Sequence, residues 1–222
     1  MLTKQTFKFL NDLRKNNNRE WFKSNKSRFE EAKAEFENFI NALIFQLSKF
    51  DKSIASLQAK DCVFRIYRDV RFSKDKSPYK THFGAHLTAG GKKSEIHSRA
   101  GYYIHIEPSG KSILAGGAYM PPSPWINAIR QEIHYNAKKI KTVINGKEFK
   151  NYFGEIEGEK LVRPPKGYEA NDPEIELLKL KSLLAVHKLS DKEILAKDFL
   201  AHTAKVFKVL YPFNAFLNQA MD

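Results

Sequence analysis

Gly101-Tyr-Tyr-Ile-His-Ile-Glu-Pro-Ser-Gly-Lys-Ser-Ile-Leu-Ala-Gly-Gly-Ala118 is the stretch on which the fold turns. Residues 101–107 and 112–118 flank Pro108-Ser109-Gly110-Lys111, which has turn chemistry, so the stretch predicts an antiparallel hairpin. In an extended chain Tyr102, Ile104 and Ile106 share one face, and Tyr103, His105 and Glu107 share the other. The first face suits a core. The second suits water or polar function, and makes His105 a candidate general base with Glu107 to orient it.

Working outward, residues 62–67 read as a first strand, 82–88 as a second and 183–187 as a last one. Helix signals dominate both ends. Thr3 caps a first helix whose Phe7, Leu10 and Leu13 recur at helical spacing, and Asn16-Asn17-Asn18 ends it. Asn18 then caps a long second helix striped by Phe29, Ala32, Phe36, Phe39, Ile40, Leu43 and Leu47. Ser123 caps another helix, with Pro124 at its first position before Trp125, Ile129 and Ile133, and Asp172-Pro173 repeats the device ahead of Leu177 and Leu178. Ser190 and Glu193 have capping-box spacing and predict a long C-terminal helix broken at Pro212. Residues 90–94 read as a flexible loop and 164–168 as a tight turn. The expectation is one α+β domain over residues 1–222. Its central antiparallel sheet, of about five strands, is packed by N-terminal and C-terminal helices.

Composition narrows the class. With 42% hydrophobic and 13% aromatic residues in 222, the chain buries a proper core rather than staying disordered. No apolar run is long enough for a helical membrane span. Cys62 is alone, so neither a disulfide framework nor a thiolate metal cluster is expected. The first residues lack the charged-then-apolar order of a signal peptide, and the expectation is a cytoplasmic protein with no membrane partner. The net charge of +13 attracts phosphates and nucleic acid, yet it is spread along the chain rather than gathered in a tail.

Residues 65–80 are the densest concentration of that charge. Arg65, Arg68, Arg71, Lys74, Lys76 and Lys80 are interleaved with Asp69, Asp75, Tyr67, Phe72 and Tyr79. If residues 65–71 are extended, Arg65, Tyr67, Asp69 and Arg71 fall on one face. Guanidinium forks suit carboxylate or phosphate. One reading makes Arg65, Arg68, Arg71, Lys76 and Tyr79 contacts for a phosphate-bearing or other anionic ligand. Asp69, Asp75 and His105 are then the groups available for proton transfer if the protein is an enzyme. A second makes the motif a structural salt-bridge lattice of a non-catalytic interaction or scaffold protein, with helix carboxylates such as Glu30 or Glu35 absorbing the surplus. A third is a sequence-independent nucleic-acid binder, with the rings stacking on bases.

Arg65-x-x-Arg68-Asp69-x-Arg71-Phe72-x-x-Asp75-Lys76-x-x-Tyr79 resembles the signature of a family of bacterial conserved hypothetical proteins, domain of unknown function 2461. Residues 16–22, Gly101-Tyr102-Tyr103, Gly116-Gly117 leading into Pro121, and residues 165–168 are similar to the family as well. The resemblance implies membership along nearly the whole chain and implies no activity, cofactor or partner.

Other chemistries lack their signatures. There is no phosphate-binding P-loop, no dinucleotide fingerprint and no nucleophile elbow. His82 and His86 are four apart, which in a strand is ~13 Å, too far to share one ion. The sequence therefore names no metal ligand and no cofactor, and it leaves the oligomeric state open.

Overall fold

The computed structural model describes residues 2–89 and 96–221, so the glycine-lysine loop read over residues 90–94 lies outside the described residues. Helix α1 (Lys4–Lys15) starts where the Thr3 hydroxyl accepts from the Gln5 amide, and it ends at Asn16. Helix α2 (Arg19–Ser24) is capped by the Asn18 side chain, which accepts from the Trp21 amide. The single long helix expected from Asn18 is two helices. Asn25 sits at φ −111°, ψ 21°, and α3 (Lys26–Leu47) begins after it. The Asn25 amide explains the break: it donates to the Trp21 carbonyl and accepts from Arg28 Nη1, both at 2.9 Å. Asparagine competes with helical hydrogen bonds in this way.

Among the described residues four strands form one sheet in the order β1-β2-β3-β4: β1 (Phe83–Leu87), β2 (Gly101–Ile106), β3 (Ser112–Ala118) and β4 (Leu183–Leu189). All neighbours are antiparallel, with Phe83 opposite Ile106, Gly101 opposite Gly117 and Ser112 opposite Leu189. The β2–β3 turn carries positive φ at Ser109 and Gly110, the handedness a tight hairpin requires. The amides of both residues donate to the Asp191 carboxylate, each at 2.9 Å.

Residues 62–67 do not form a strand. A helical turn, α4 (Ala59–Cys62), precedes them, with the Ala59 amide donating to the Asn41 side chain. Beyond it the chain touches the β1 edge through a single bridge, Val63 to Ala85. The β-branched and aromatic residues that suggest a strand are satisfied by isolated bridges instead of a ladder.

Helices return as α5 (Ser123–Ile144), α6 (Lys147–Phe153) and the one-turn α7 (Ile175–Leu178). After β4, the Ser190–Glu193 capping box is present, but it opens only the short α8 (Asp191–Ile194). The long helix is α9 (Phe199–Gln219), and Pro212 lies inside it without ending it. Leu210 and Phe213 beside Pro212 are fully buried, so tertiary packing outweighs the lost backbone hydrogen bond. Helices α3 and α9 cover one face of the sheet: Phe36 stacks on Phe83 at 5.4 Å, Phe39 on Phe199 at 5.1 Å, and Tyr102 meets Phe207 at 5.1 Å. Tyr102, Ile104 and Ile106 point into this core, while Tyr103, His105 and Glu107 are half-buried on the opposite face. No described helix is long and apolar enough to cross a membrane.

Candidate functional site

Alternation along β2 puts Tyr103, His105 and Glu107 in one row, and the three side chains join end to end. The Glu107 carboxylate only accepts, so His105 Nε2 donates to it at 3.0 Å. In the neutral ring Nδ1 then accepts from the Tyr103 hydroxyl at 3.2 Å. Arg14 of α1 holds the far end, with Nη2 donating to the other Glu107 oxygen at 3.0 Å. Burial pushes the Glu107 carboxyl up, but the His105 hydrogen bond and the neighbouring His105, His82 and Arg14 charges outweigh it and hold it below its ordinary value. Burial raises the Tyr103 hydroxyl, which therefore stays protonated and donates. The row fixes the His105 ring between the Tyr103 hydroxyl and Glu107, so that Nδ1 is the site on His105 that can take up a proton.

His82, one residue before β1, stacks on His105 with ring centres 4.0 Å apart. Burial, then the His105 charge, pushes its imidazole down to about 4; the charges of Lys80 and Arg68 act in the same direction. His82, His105 and Glu107 each offer a ligand atom, all within 4.8 Å of one another, so the same groups could hold a divalent metal. Sequence reading missed His82 as the partner of His105, because that pairing exists only through the β1–β2 register.

Tyr103 also borders an apolar cavity of about 310 Å³ on this face, floored by Gly101, Ala115 and Gly117 and walled by Tyr119. His86 closes one end; it is buried, and its Nδ1 has no hydrogen-bond partner among the described residues. His82 and His86 thus serve separate places, as strand spacing requires. A larger cavity, about 580 Å³, lies beside α5. There Arg130 already donates to the Leu178 and Leu180 carbonyls, and His134 is paired with Asp172 at 2.7 Å.

Residues 65–71 are not an extended strand with two faces. With residues 72–80 they form a loop closed at its base by Lys80 N–H to the Ile66 carbonyl at 2.7 Å and Arg68 N–H to the Pro78 carbonyl at 2.9 Å. The Arg68 guanidinium fills the loop, donating to Asp75 and Ser77, and to Ser73 at 3.3 Å. Lys76 Nζ donates to the Val70 carbonyl at 3.0 Å. Asp69 pairs with Arg71 through two hydrogen bonds, at 3.0 and 2.7 Å, and Arg65 is exposed within electrostatic reach of Asp69. Tyr79 is buried, stacked on Phe22 at 4.0 Å, and its backbone exchanges two hydrogen bonds with the Asn17 side chain. The Arg71 hydrogen bond holds Asp69 at about 2. The Ser77 amide, then Arg68, holds Asp75 there too. Both are anchored anions and weak bases. Glu35 does not absorb the surplus charge; it accepts from Thr3 and Thr6 instead.

Neither a curated protein nor a solved structure matches the chain significantly. The model of the conserved hypothetical proteins DUF2461 matches residues 5–216, and the chain belongs to that family.

Proposed function

We propose that this protein binds a small anionic molecule with an apolar body on the sheet face that α3 and α9 leave uncovered. The observation that carries the reading is the unbroken Tyr103–His105–Glu107 chain, which shares Tyr103 with the apolar cavity. The apolar body fits the floor of Gly101, Ala115 and Gly117. The charged end meets the positive field of Lys80 and Arg68, both close enough to act on His82, and the Tyr103 hydroxyl turns its one hydrogen from His105 Nδ1 to donate to it. Arg65 adds charge from the loop, whereas Arg71 is offset by its pairing with Asp69. The relay makes a proton transfer to the bound molecule the available chemistry.

Calorimetric titration with 1-naphthyl phosphate tests the reading. Tyr103→Phe and His105→Gln are expected to weaken binding about tenfold each, the loss of one charge-assisted hydrogen bond. Arg71→Ala is expected to change it little. Equal affinity in all four proteins would sink the proposal.

A second reading is supported by the loop itself. Arg68 spends its donors on Asp75, Ser77 and Ser73, as a structural lattice would. In that reading the family motif shapes the loop that borders the site, and ligand contact belongs to the sheet. Binding to nucleic acid has the exposed rings of Phe72 and Tyr67 in its favour. Retention of single-stranded DNA that falls steeply with salt would support it, and flat salt dependence would count against it.

A further inference from the structure

We infer that His187, His202 and Glu193 form a binding site for a divalent transition metal of the zinc class. The three residues lie where β4 passes through α8 into α9, and their ligand atoms are all within 4.8 Å of one another. His187 continues the core-facing row of Leu183, Ala185 and Leu189 in β4, and His202 stands in the first turn of α9. Their rings are 5.7 Å apart, centre to centre.

The tautomer of His187 is fixed by its neighbour. Nδ1 lies 2.8 Å from the Tyr152 carbonyl, which only accepts, so Nδ1 carries the proton. The lone pair is then on Nε2. That atom is buried with no hydrogen-bond partner among the described residues, and His202 Nε2 is in the same condition. A buried nitrogen without a partner costs about 1–3 kcal/mol, and here two face one small space. A Nδ1–H held by a carbonyl, with Nε2 presented bare, is the arrangement that orients metal-binding histidines.

Glu193 completes the set. Oε2 accepts from the Ser190 amide at 2.8 Å and from its hydroxyl at 2.6 Å, which fixes the carboxylate in place. Two imidazole nitrogens and one carboxylate oxygen suit zinc, whereas magnesium prefers an all-oxygen shell. Glu193 is exposed, so a fourth position opens to water. The site is separate from the His82–His105–Glu107 group, which shares no residue with it.

The full chain, stripped with chelator and titrated with zinc chloride, tests this by calorimetry and metal analysis. Expected are zinc uptake and a raised thermal midpoint in the wild-type protein, with no response to magnesium. His187→Gln and His202→Gln should each weaken uptake about tenfold or more, and His105→Gln should leave this site intact. Glu193→Gln retains an acceptor for the cap, so its expected weaker uptake guards against loss of folding as the cause. Absence of zinc uptake by the wild-type protein, uptake unchanged in both His187→Gln and His202→Gln, or uptake abolished by His105→Gln would overturn the inference.

Discussion

Gly117 shows how a single atom can decide a position. Its φ is +118°, and a Cβ there would lie 2.0 Å from the Leu183 carbonyl oxygen of the neighbouring strand. Neither conformation nor space admits a side chain. Gly117→Ala is expected to cost about 3 kcal/mol or more, read as a lower urea midpoint. The Gly116-Gly117 pair is visible in the sequence, but the carbonyl that demands it is 66 positions away and was not. A different residue-scale effect arises at His86, whose imidazole burial and then His97 push from 6.5 to about 4. The unfolded chain takes up this proton below about 6.5 and the folded chain only near 4. Stability is therefore full above that window, falls as pH drops through it, and levels off below. The loss is on the order of 3 kcal/mol at most for His86, and less for the more accessible His82, which is also held at about 4. Urea midpoints between pH 4 and 7 should show the slope, and His86→Gln should flatten it.

Elements here are joined by side chains that reach across gaps in sequence. Glu35 of α3 accepts from the Thr3 amide at 3.1 Å, from the Thr3 hydroxyl at 3.0 Å and from the buried Thr6 hydroxyl, fastening the start of α1. Glu35→Ala leaves Thr6 without its acceptor and is expected to cost about 1–3 kcal/mol by chemical denaturation. The loop of residues 65–80 is braced differently. Arg68→Met is expected to speed protease cleavage within the loop several-fold, while the thermal midpoint moves by only a few degrees. Unchanged cleavage would mean that the backbone closure at Ile66 and Lys80 holds the loop unaided. What the sequence disclosed at this scale follows from local physics. The β2–β3 hairpin was legible because alternation and turn chemistry agree over adjacent residues. The pairing of His82 with His105 was not, since it depends on Phe83 standing opposite Ile106. Asn25 was misread because its side chain competes with a backbone that its neighbours would otherwise keep helical. Residues 62–67 were misread because strand-forming side chains can be buried without a ladder.

On the scale of the molecule, nearly all the buried apolar residues among those described belong to one cluster, from Leu2 to Leu217. A single cluster predicts one cooperative unfolding transition. Fluorescence of Trp21 and Trp125, which stand in α2 and α5, should change together with far-ultraviolet circular dichroism. Separate midpoints would show that the ends unfold independently. The fold class was readable at this scale because helix periodicity at both ends and strand periodicity between them leave few alternatives. The relay was not, because no single segment contains it.

The stacking of Phe39 on Phe199 has a consequence for how the protein is made. The apolar stripe of α3 leaves the ribosome long before the helix that covers it. At 5–20 residues per second, the roughly 150 residues between Leu47 and Phe199 take about 8–30 s to synthesise. Throughout that interval Phe39 lacks the ring on which it stacks in the finished protein. A nascent chain stalled before α9 would thus be a better chaperone client, and a poorer soluble protein, than the finished one.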